Sequence, residues 1–387
     1  MKAIEILRMK AIEILRNDGR ARQGKLLTEH GNIDTPVFMP VGTQGIVKAM
    51  THKELEEMGV TMILANAYHL YLRPGDDLIR RLGGIHKFSG WKGALLTDSG
   101  GYQIFSLGVL REIKEDGVLF QSHIDGSRHF LTPEKMVKVQ ENIGADIAMC
   151  LDECVSYPSS YEYTNESVEL TSRWAKRCHE AKTEDGQKLF GIIQGGFYED
   201  LRLKSAEDLL GMDFDGYAIG GLSVGEPKSL MWDMVDTVID LLPKDKPRYM
   251  MGVGMPEDLL DGVKRGVDMF DCIIPTRLAR NGTLFTWDGK MNLKNARFTE
   301  DARPIDETCS CYACRTFSRA YLRHLLIAHE LTSFYLNTIH NVFFYMEFMK
   351  RMRESIQDGS FEVFSQEFKA KYEGGEYHDE RSVCSGS

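Results

Sequence analysis

The chain has 387 residues, 43% hydrophobic and 27% charged, an ordinary globular composition that can bury a large core. Its formal net charge of −10 argues against a general electrostatic grip on nucleic acid, and no run of about 18 apolar residues marks a membrane span. The N-terminus lacks the apolar core of a signal peptide, and eight cysteines, three of them clustered, point to a reducing cytoplasm rather than a disulfide framework.

Residues 1–8 (MKAIEILR) recur identically as residues 9–16, which reads as a duplicated start rather than a structural repeat. Short aliphatic or β-branched runs then alternate with amphipathic stretches. The strand candidates are 37–41, 61–65, 94–97, 147–151, 189–193, 217–219, 248–251 and 270–274. Such brief runs suit strands buried on both faces. Helical spacing covers 133–143, 167–184, 199–210, 229–242 and 256–265, with Pro133 and Pro256 in first turns. Eight strands with intervening helices predict an α/β fold, a closed (β/α)8 barrel over residues 9–276. An open doubly wound sheet is the alternative, but no GxGxxG follows the first strand.

After Pro275 the pattern changes. A turn-rich stretch from Arg277 to Thr308 leads to Cys309, Cys311 and Cys314, and His340 follows after twenty-five residues. Three thiolates and one imidazole make a closed tetrahedral set, suited to structural Zn2+ with no open position for a substrate. Long helices are expected at 315–331 and 338–357. Residues 277–373 therefore read as a zinc-binding subdomain with closing helices, and 374–387 as a flexible tail. From Lys264 to Leu325 there are eleven Lys and Arg against seven Asp and Glu, a local basic excess able to hold phosphates.

With the metal assigned to folding, the chemistry falls to the C-terminal ends of the strands. Asp98-Ser99-Gly100-Gly101-Tyr102, Asp152-Glu153-Cys154, Gln194-Gly195-Gly196, Gly220-Gly221-Leu222 and Met251-Gly252 follow successive strands, and Asp271 begins the last group. Glycines let backbone approach a ligand closely. Tyr102 and Met251 can sandwich a flat ring, and Asp152 with Gln194 can read the edge of a polar heterocycle. Asp98 and Asp271 can divide the work of acid/base and nucleophile, as in retaining glycosyl transfer. Taken singly, each aspartate is more simply a helix cap or an ion-pair partner. Together they suggest a planar base with an N-glycosidic bond.

LLTDSGGYQIFSL (95–107), LDEC (151–154), IIQGG (192–196), IGGLSVGE (219–226), YMMGVG (249–254), FDCIIPTRLARNGTLFT (270–286) and the Cys/His set resemble the tRNA-guanine transglycosylases, also called queuine tRNA-ribosyltransferases, of bacterial type. The resemblance runs from about Gly24 to Tyr372. It implies a (β/α)8 barrel with a zinc subdomain. It implies exchange of guanine at the wobble position of a tRNA with a GUN anticodon for 7-aminomethyl-7-deazaguanine (preQ1). Asp271 would be the nucleophile on the ribose and Asp98 the general acid/base. Asp152, Gln194 and the backbone at Gly221 and Leu222 would read the base, Tyr102 and Met251 would stack on it, and Arg277 and Arg280 would contact the anticodon loop. No ATP, redox cofactor or catalytic metal is implied. Cys154, Val224, the Leu222 carbonyl and Glu226 match preQ1 use, whereas Ser223 matches the eukaryotic pattern and leaves queuine open.

The resemblance also implies a homodimer, for which Phe317, Tyr321 and His324 at helical spacing offer an aromatic patch; the same spacing would serve a core-facing stripe. Two rivals remain. A non-catalytic RNA-binding subunit conflicts with the presence of both Asp98 and Asp271. A barrel glycoside hydrolase leaves the zinc ligands unexplained.

Overall fold

The aliphatic runs pair side by side and close on themselves. A computed structural model describes residues 10–103 and 111–374. Strands β1 (Ile12–Asp18), β2 (Ala21–Thr28) and β3 (Gly31–Thr35) form an antiparallel sheet ahead of the barrel. The second copy of the repeated octapeptide enters β1, while the first copy lies outside the described residues.

Eight parallel strands follow. They are β4 (Val37–Pro40), β5 (Met62–Asn66), β6 (Ala94–Asp98), then, after an antiparallel insertion of β7 (Arg111–Lys114), β8 (Gly117–Gln121) and β9 (Arg128–Leu131), β10 (Ile147–Met149), β11 (Lys188–Ile193), β12 (Gly216–Ile219), β13 (Arg248–Met250) and β14 (Met269–Cys272). β14 pairs with β4. A parallel bridge between Val41 and Leu64, with the Gly42 N–H donating to the Leu64 carbonyl at 2.6 Å, joins β4 to β5 and closes the ring. The expected barrel strands are thus present within a few residues. The small sheets β1–β3 and β7–β9 were not foreseen, because their alternation is short and mixed with charge.

Side-chain parity in these strands places the core. Val37, Met39, Met62, Leu64, Ala94, Leu96, Ile147, Met149, Ile192 and Met269 form one buried cluster, with Leu26 and Ile33 of the N-terminal sheet packed among them. This cluster is the barrel interior. Phe38, Ile63, Leu95, Ala148, Ile193 and Phe270 belong to a second cluster, which meets the surrounding helices. The two-residue period decides which face each side chain takes.

Local signals set the helices. Thr132 accepts from the Lys135 N–H at 3.2 Å, Pro133 follows, and Gly144 at φ 76° ends the helix Pro133–Ile143. The next helix, Tyr161–Ala181, starts earlier than expected because Ser160 caps it through the Tyr163 N–H at 3.3 Å. The single long helix expected at 315–331 is instead broken. Helix Tyr312–Thr316 stops at extended Phe317, Ser318 caps Arg319–Ile327, and His329 at φ 57° separates that from Leu331–Asp358. The stretch after Pro275 holds helix Ile274–Arg280 and the hairpin β15 (Thr283–Thr286) and β16 (Gly289–Asn292). Helix Leu331–Asp358 packs back on β1, β2 and β4. No helix among the described residues is long and apolar enough to cross a membrane.

One ion pair ties the N-terminal sheet to the barrel floor. Arg22 on β2 donates to both Asp268 carboxylate oxygens, at 2.7 and 2.5 Å, and both residues are buried. Its other contacts are the carbonyls of Lys244 and Lys246. Arg22→Ala strands a buried carboxylate and should cost about 3–5 kcal/mol, read as a lower urea midpoint; an unchanged midpoint would deny the pair that role.

Candidate active site

The same parity carries past the aliphatic layer. Counting in twos from Leu64, Leu96, Ile192 and Met269 puts Asn66, Asp98, Gln194 and Asp271 at the C-terminal rim, facing inward, and Tyr249 is in the interior cluster. A cavity of about 700 Å³ opens there. It is lined by Asp98, Tyr102, Asp152, Gln194, Gly221, Leu222, Met251 and Asp271, so all eight residues expected to act on the substrate share one space. Tyr102 is 55% exposed at the mouth.

Asp98 ends β6, and its register partner on β5 is Asn66, whose side-chain amide donates to one carboxylate oxygen. The Ala67 N–H donates to the other at 3.0 Å. Burial raises the Asp98 pKa to about 7, opposed by these hydrogen bonds and by Gln103, while the nearby Asp271 charge raises it further. Asp271 receives the Tyr249 hydroxyl at 2.5 Å and the Gly252 N–H at 2.8 Å, both on Oδ1. Burial also raises its pKa, with these two donors acting against the rise. The Asp271 charge thus adds to burial in holding a proton on Asp98.

Asp152 lies just beyond the end of β10 rather than on it, and accepts from the Ser99 hydroxyl at 2.8 Å and the Gln194 amide at 2.7 Å. Burial raises its pKa, opposed by those donors. The Gln194 carbonyl oxygen is buried with no partner. Gly221 sits against it at φ 64°, where an added Cβ would lie 2.3 Å from that oxygen, so only glycine leaves this acceptor room. The set therefore offers an unused amide acceptor beside a carboxyl edge. Glu226 is turned to its own loop and accepts the N–H groups of Ser223 at 2.5 Å and Val224 at 2.8 Å.

Sequence reasoning missed three residues. Asn66 and Tyr249 were legible in principle from strand parity. Arg202 was not: it is fully buried on helix Glu199–Leu210, and its guanidinium donates to the carbonyls of Gly196 at 2.9 Å, Ile193 at 3.2 Å and Gly220 at 2.7 Å. It braces the two glycine turns beside Gln194. Arg277 and Arg280 do not line the cavity. They lie on helix Ile274–Arg280, which starts at its rim beside Ile273. Arg277 is exposed, and the Arg280 Nη1 is buried without a partner.

Cys309, Cys311, Cys314 and His340 converge with their ligand atoms within 4.8 Å of one another, and none of them lines this cavity. The three sulfurs stand 3.8, 3.7 and 3.3 Å from His340 Nδ1. A tetrahedral ion with bonds of about 2.3 Å to sulfur and 2.0–2.1 Å to nitrogen separates such ligands by about 3.6 Å. His340 Nε2 lies 2.7 Å from the Phe285 carbonyl, which fixes the tautomer and presents Nδ1 to an ion. The group could hold a metal ion, joining β15, the cysteine segment and helix Leu331–Asp358.

Residues 18–374 match the family described as queuine tRNA-ribosyltransferase. Relatives of that name include one from Solidesulfovibrio magneticus, 57% identical over 361 residues, which is 93% of this chain and 97% of the relative. Another, from Caldanaerobacter subterraneus subsp. tengcongensis, is 58% identical over 365 residues, 94% of this chain and 97% of the relative. The chain belongs to the queuine tRNA-ribosyltransferase family. This is a family of enzymes, the tRNA-guanine transglycosylases, and the membership agrees with the resemblance read from the motifs. It leaves the roles of individual residues to their geometry.

The raised Asp98 pKa has a testable sign. Between the ordinary carboxylate value of 3.8 and about 7, the folded chain keeps a proton that the unfolded chain has lost. Stability should therefore fall as pH rises through that window and level off above it. Asp98→Asn should flatten this slope and stabilise the protein more at pH 8 than at pH 5, measured by urea denaturation across the range. An identical slope in the variant would place the buried proton elsewhere.

Proposed function

We propose that the chain exchanges guanine at the wobble position of tRNAs with a GUN anticodon for preQ1, through a covalent Asp271–ribose ester. The observation that carries this reading is the shared cavity of Asp98 and Asp271 beside the base-reading set of Asp152, Gln194 and Gly221. The anionic Asp271 carboxylate attacks C1′ of the ribose, and the C1′–N9 bond breaks. Asp98 supplies the proton that the departing guanine takes up. The incoming base gives a proton back to Asp98, its nitrogen attacks C1′, and the ester bond breaks to release Asp271. Atoms and charge balance, so neither ATP nor a redox partner is needed.

The Tyr249 hydroxyl and the Gly252 N–H stabilise the ionised Asp271, and burial of Asp98 keeps a proton available near neutral pH. Base–edge recognition falls to Asp152 and Gln194, with Tyr102 and Met251 on the ring faces. Anticodon-loop bases are cheap to unstack, which suits a pocket at a barrel mouth. Arg277 and Arg280 on the rim helix would hold backbone phosphates. Tyr312, Tyr321, Ile327 and Leu331 are each exposed on the segments that follow Cys311, and read as one apolar patch they support a homodimer. Phe317 is not on the helix that carries Tyr321, yet their rings stack at 5.3 Å and extend that patch. The Cys3His donor set favours Zn2+, and the abundance of unpaired thiols fits a cytoplasmic protein.

Asp271→Ala should abolish guanine exchange while tRNA binding persists, measured with radiolabelled guanine and by filter binding. Exchange at the parental rate would end the nucleophile assignment. Asp98→Asn should slow the chemical step by about 10²–10⁴-fold with little change in tRNA affinity. Cys311→Ala should remove one equivalent of zinc and lower the melting temperature; unchanged zinc content would refute the ligand set. Soaks with preQ1 and with queuine decide which base orders against Asp152 and Gln194.

A further inference from the structure

At the opposite end of the barrel, two imidazoles share one buried carboxylate. Asp146 precedes β10, and its side chain is 1% exposed. Its Oδ1 lies 2.9 Å from His30 Nδ1 and also accepts the His30 N–H at 3.1 Å. Its Oδ2 accepts the Leu95 N–H at 2.9 Å and lies 3.5 Å from His86 Nε2. Leu95 stands three residues before Asp98 on β6, so the cluster is about 10 Å along the strand from the catalytic carboxyl.

The corner is rich in acceptors. His86 Nε2 carries at most one hydrogen when neutral, yet it faces both Asp146 and the Gly93 carbonyl, the latter at 3.0 Å. The His30 and His86 rings lie face to face, centroids 3.4 Å apart and 8° from parallel. Lys188 is nearby but answers to Asp215, Asp146 and Glu29 together. One ligand atom from each of His30, His86 and Asp146 falls within a span of 4.8 Å. The two imidazoles meet different oxygens of the carboxylate, His30 Nδ1 at 2.9 Å from Oδ1 and His86 Nε2 at 3.5 Å from Oδ2, so either oxygen could serve an ion.

We propose that His30, His86 and Asp146 form a second cation site, for a first-row divalent transition ion with water at the remaining position. Two imidazoles and one carboxylate select this class over Mg2+ and Ca2+. Ligation turns the His30 ring out of the stack. That side chain is 35% exposed on the turn joining β2 and β3, so it has room to move. The bound ion would clamp that turn to the barrel floor. Water in the coordination shell and the absence of thiolates make this site weaker than the Cys3His group.

The test uses the full chain carrying one equivalent of zinc. Co2+ is titrated in at pH 7.5, followed by calorimetry and by visible absorption, where nitrogen and oxygen ligands give a weak band without thiolate charge transfer. The parent should take up one further equivalent with a rise in melting temperature. His30→Ala and His86→Ala should weaken that uptake at least tenfold and keep the zinc. No further equivalent in the parent, or one that survives both substitutions, overturns the site. Should His86→Ala fail to fold, His30→Ala alone decides, since it alters a half-exposed side chain.

Discussion

Carboxyl groups held together inside the mouth of a barrel cannot all carry charge cheaply. Asp98, Asp152 and Asp271 each have hydrogen-bond donors chosen by the strands around them, and each is still pushed toward its protonated form by burial. The proposed reaction draws on that tension in the pair Asp98 and Asp271. One member can hold a proton at neutral pH while the other, with Tyr249 and Gly252 aimed at it, serves as an anion. The closed barrel supplies the constraint, because inward parity at the rim turns Asp98 and Asp271 into the cavity, where Asp152 joins them from the loop after β10.

Helix Leu331–Asp358 connects this mouth to the Cys/His group. Within two turns, His340 faces the cysteines, Asn341 donates to the carbonyls of Pro275 at 2.9 Å and Thr283 at 3.1 Å, and Tyr345 donates to the Gly254 carbonyl at 2.5 Å. Pro275 opens the helix bearing Arg277 and Arg280, and Gly254 follows the turn that presents Met251 and Gly252. A metal ion at the Cys3His group would thus stiffen the helix bearing Arg277 and Arg280 and the turn bearing Met251, at the rim of the cavity. Arg202 does the corresponding task on the other side, where a buried guanidinium rather than a metal holds the glycine turns.

Much of the candidate site is legible in the sequence. Asp98, Gln194 and Asp271 end or nearly end aliphatic runs, and an inward position follows from counting in twos. The Cys-x-Cys-x-x-Cys spacing marks a group that could hold a metal ion, because few packing needs place three thiols so close. The broken helix at 317–318 was hidden because Ser318 resembles any helix residue until its side chain is seen to cap Tyr321. The β7–β9 insertion was hidden because its outer strands, β7 and β9, are mostly exposed and carry no apolar period.

Sequence by itself determined the eight barrel strands, the Cys/His group that could hold a metal ion and the family, since these depend on local periodicity and on residue spacing. Only the tertiary structure decided that Asn66 meets Asp98, that Tyr249 meets Asp271, that Arg202 braces turns from two strands, and that His30 and His86 converge on Asp146. Those contacts join segments distant along the chain, and their existence rests on strand register and barrel closure, which no local pattern encodes.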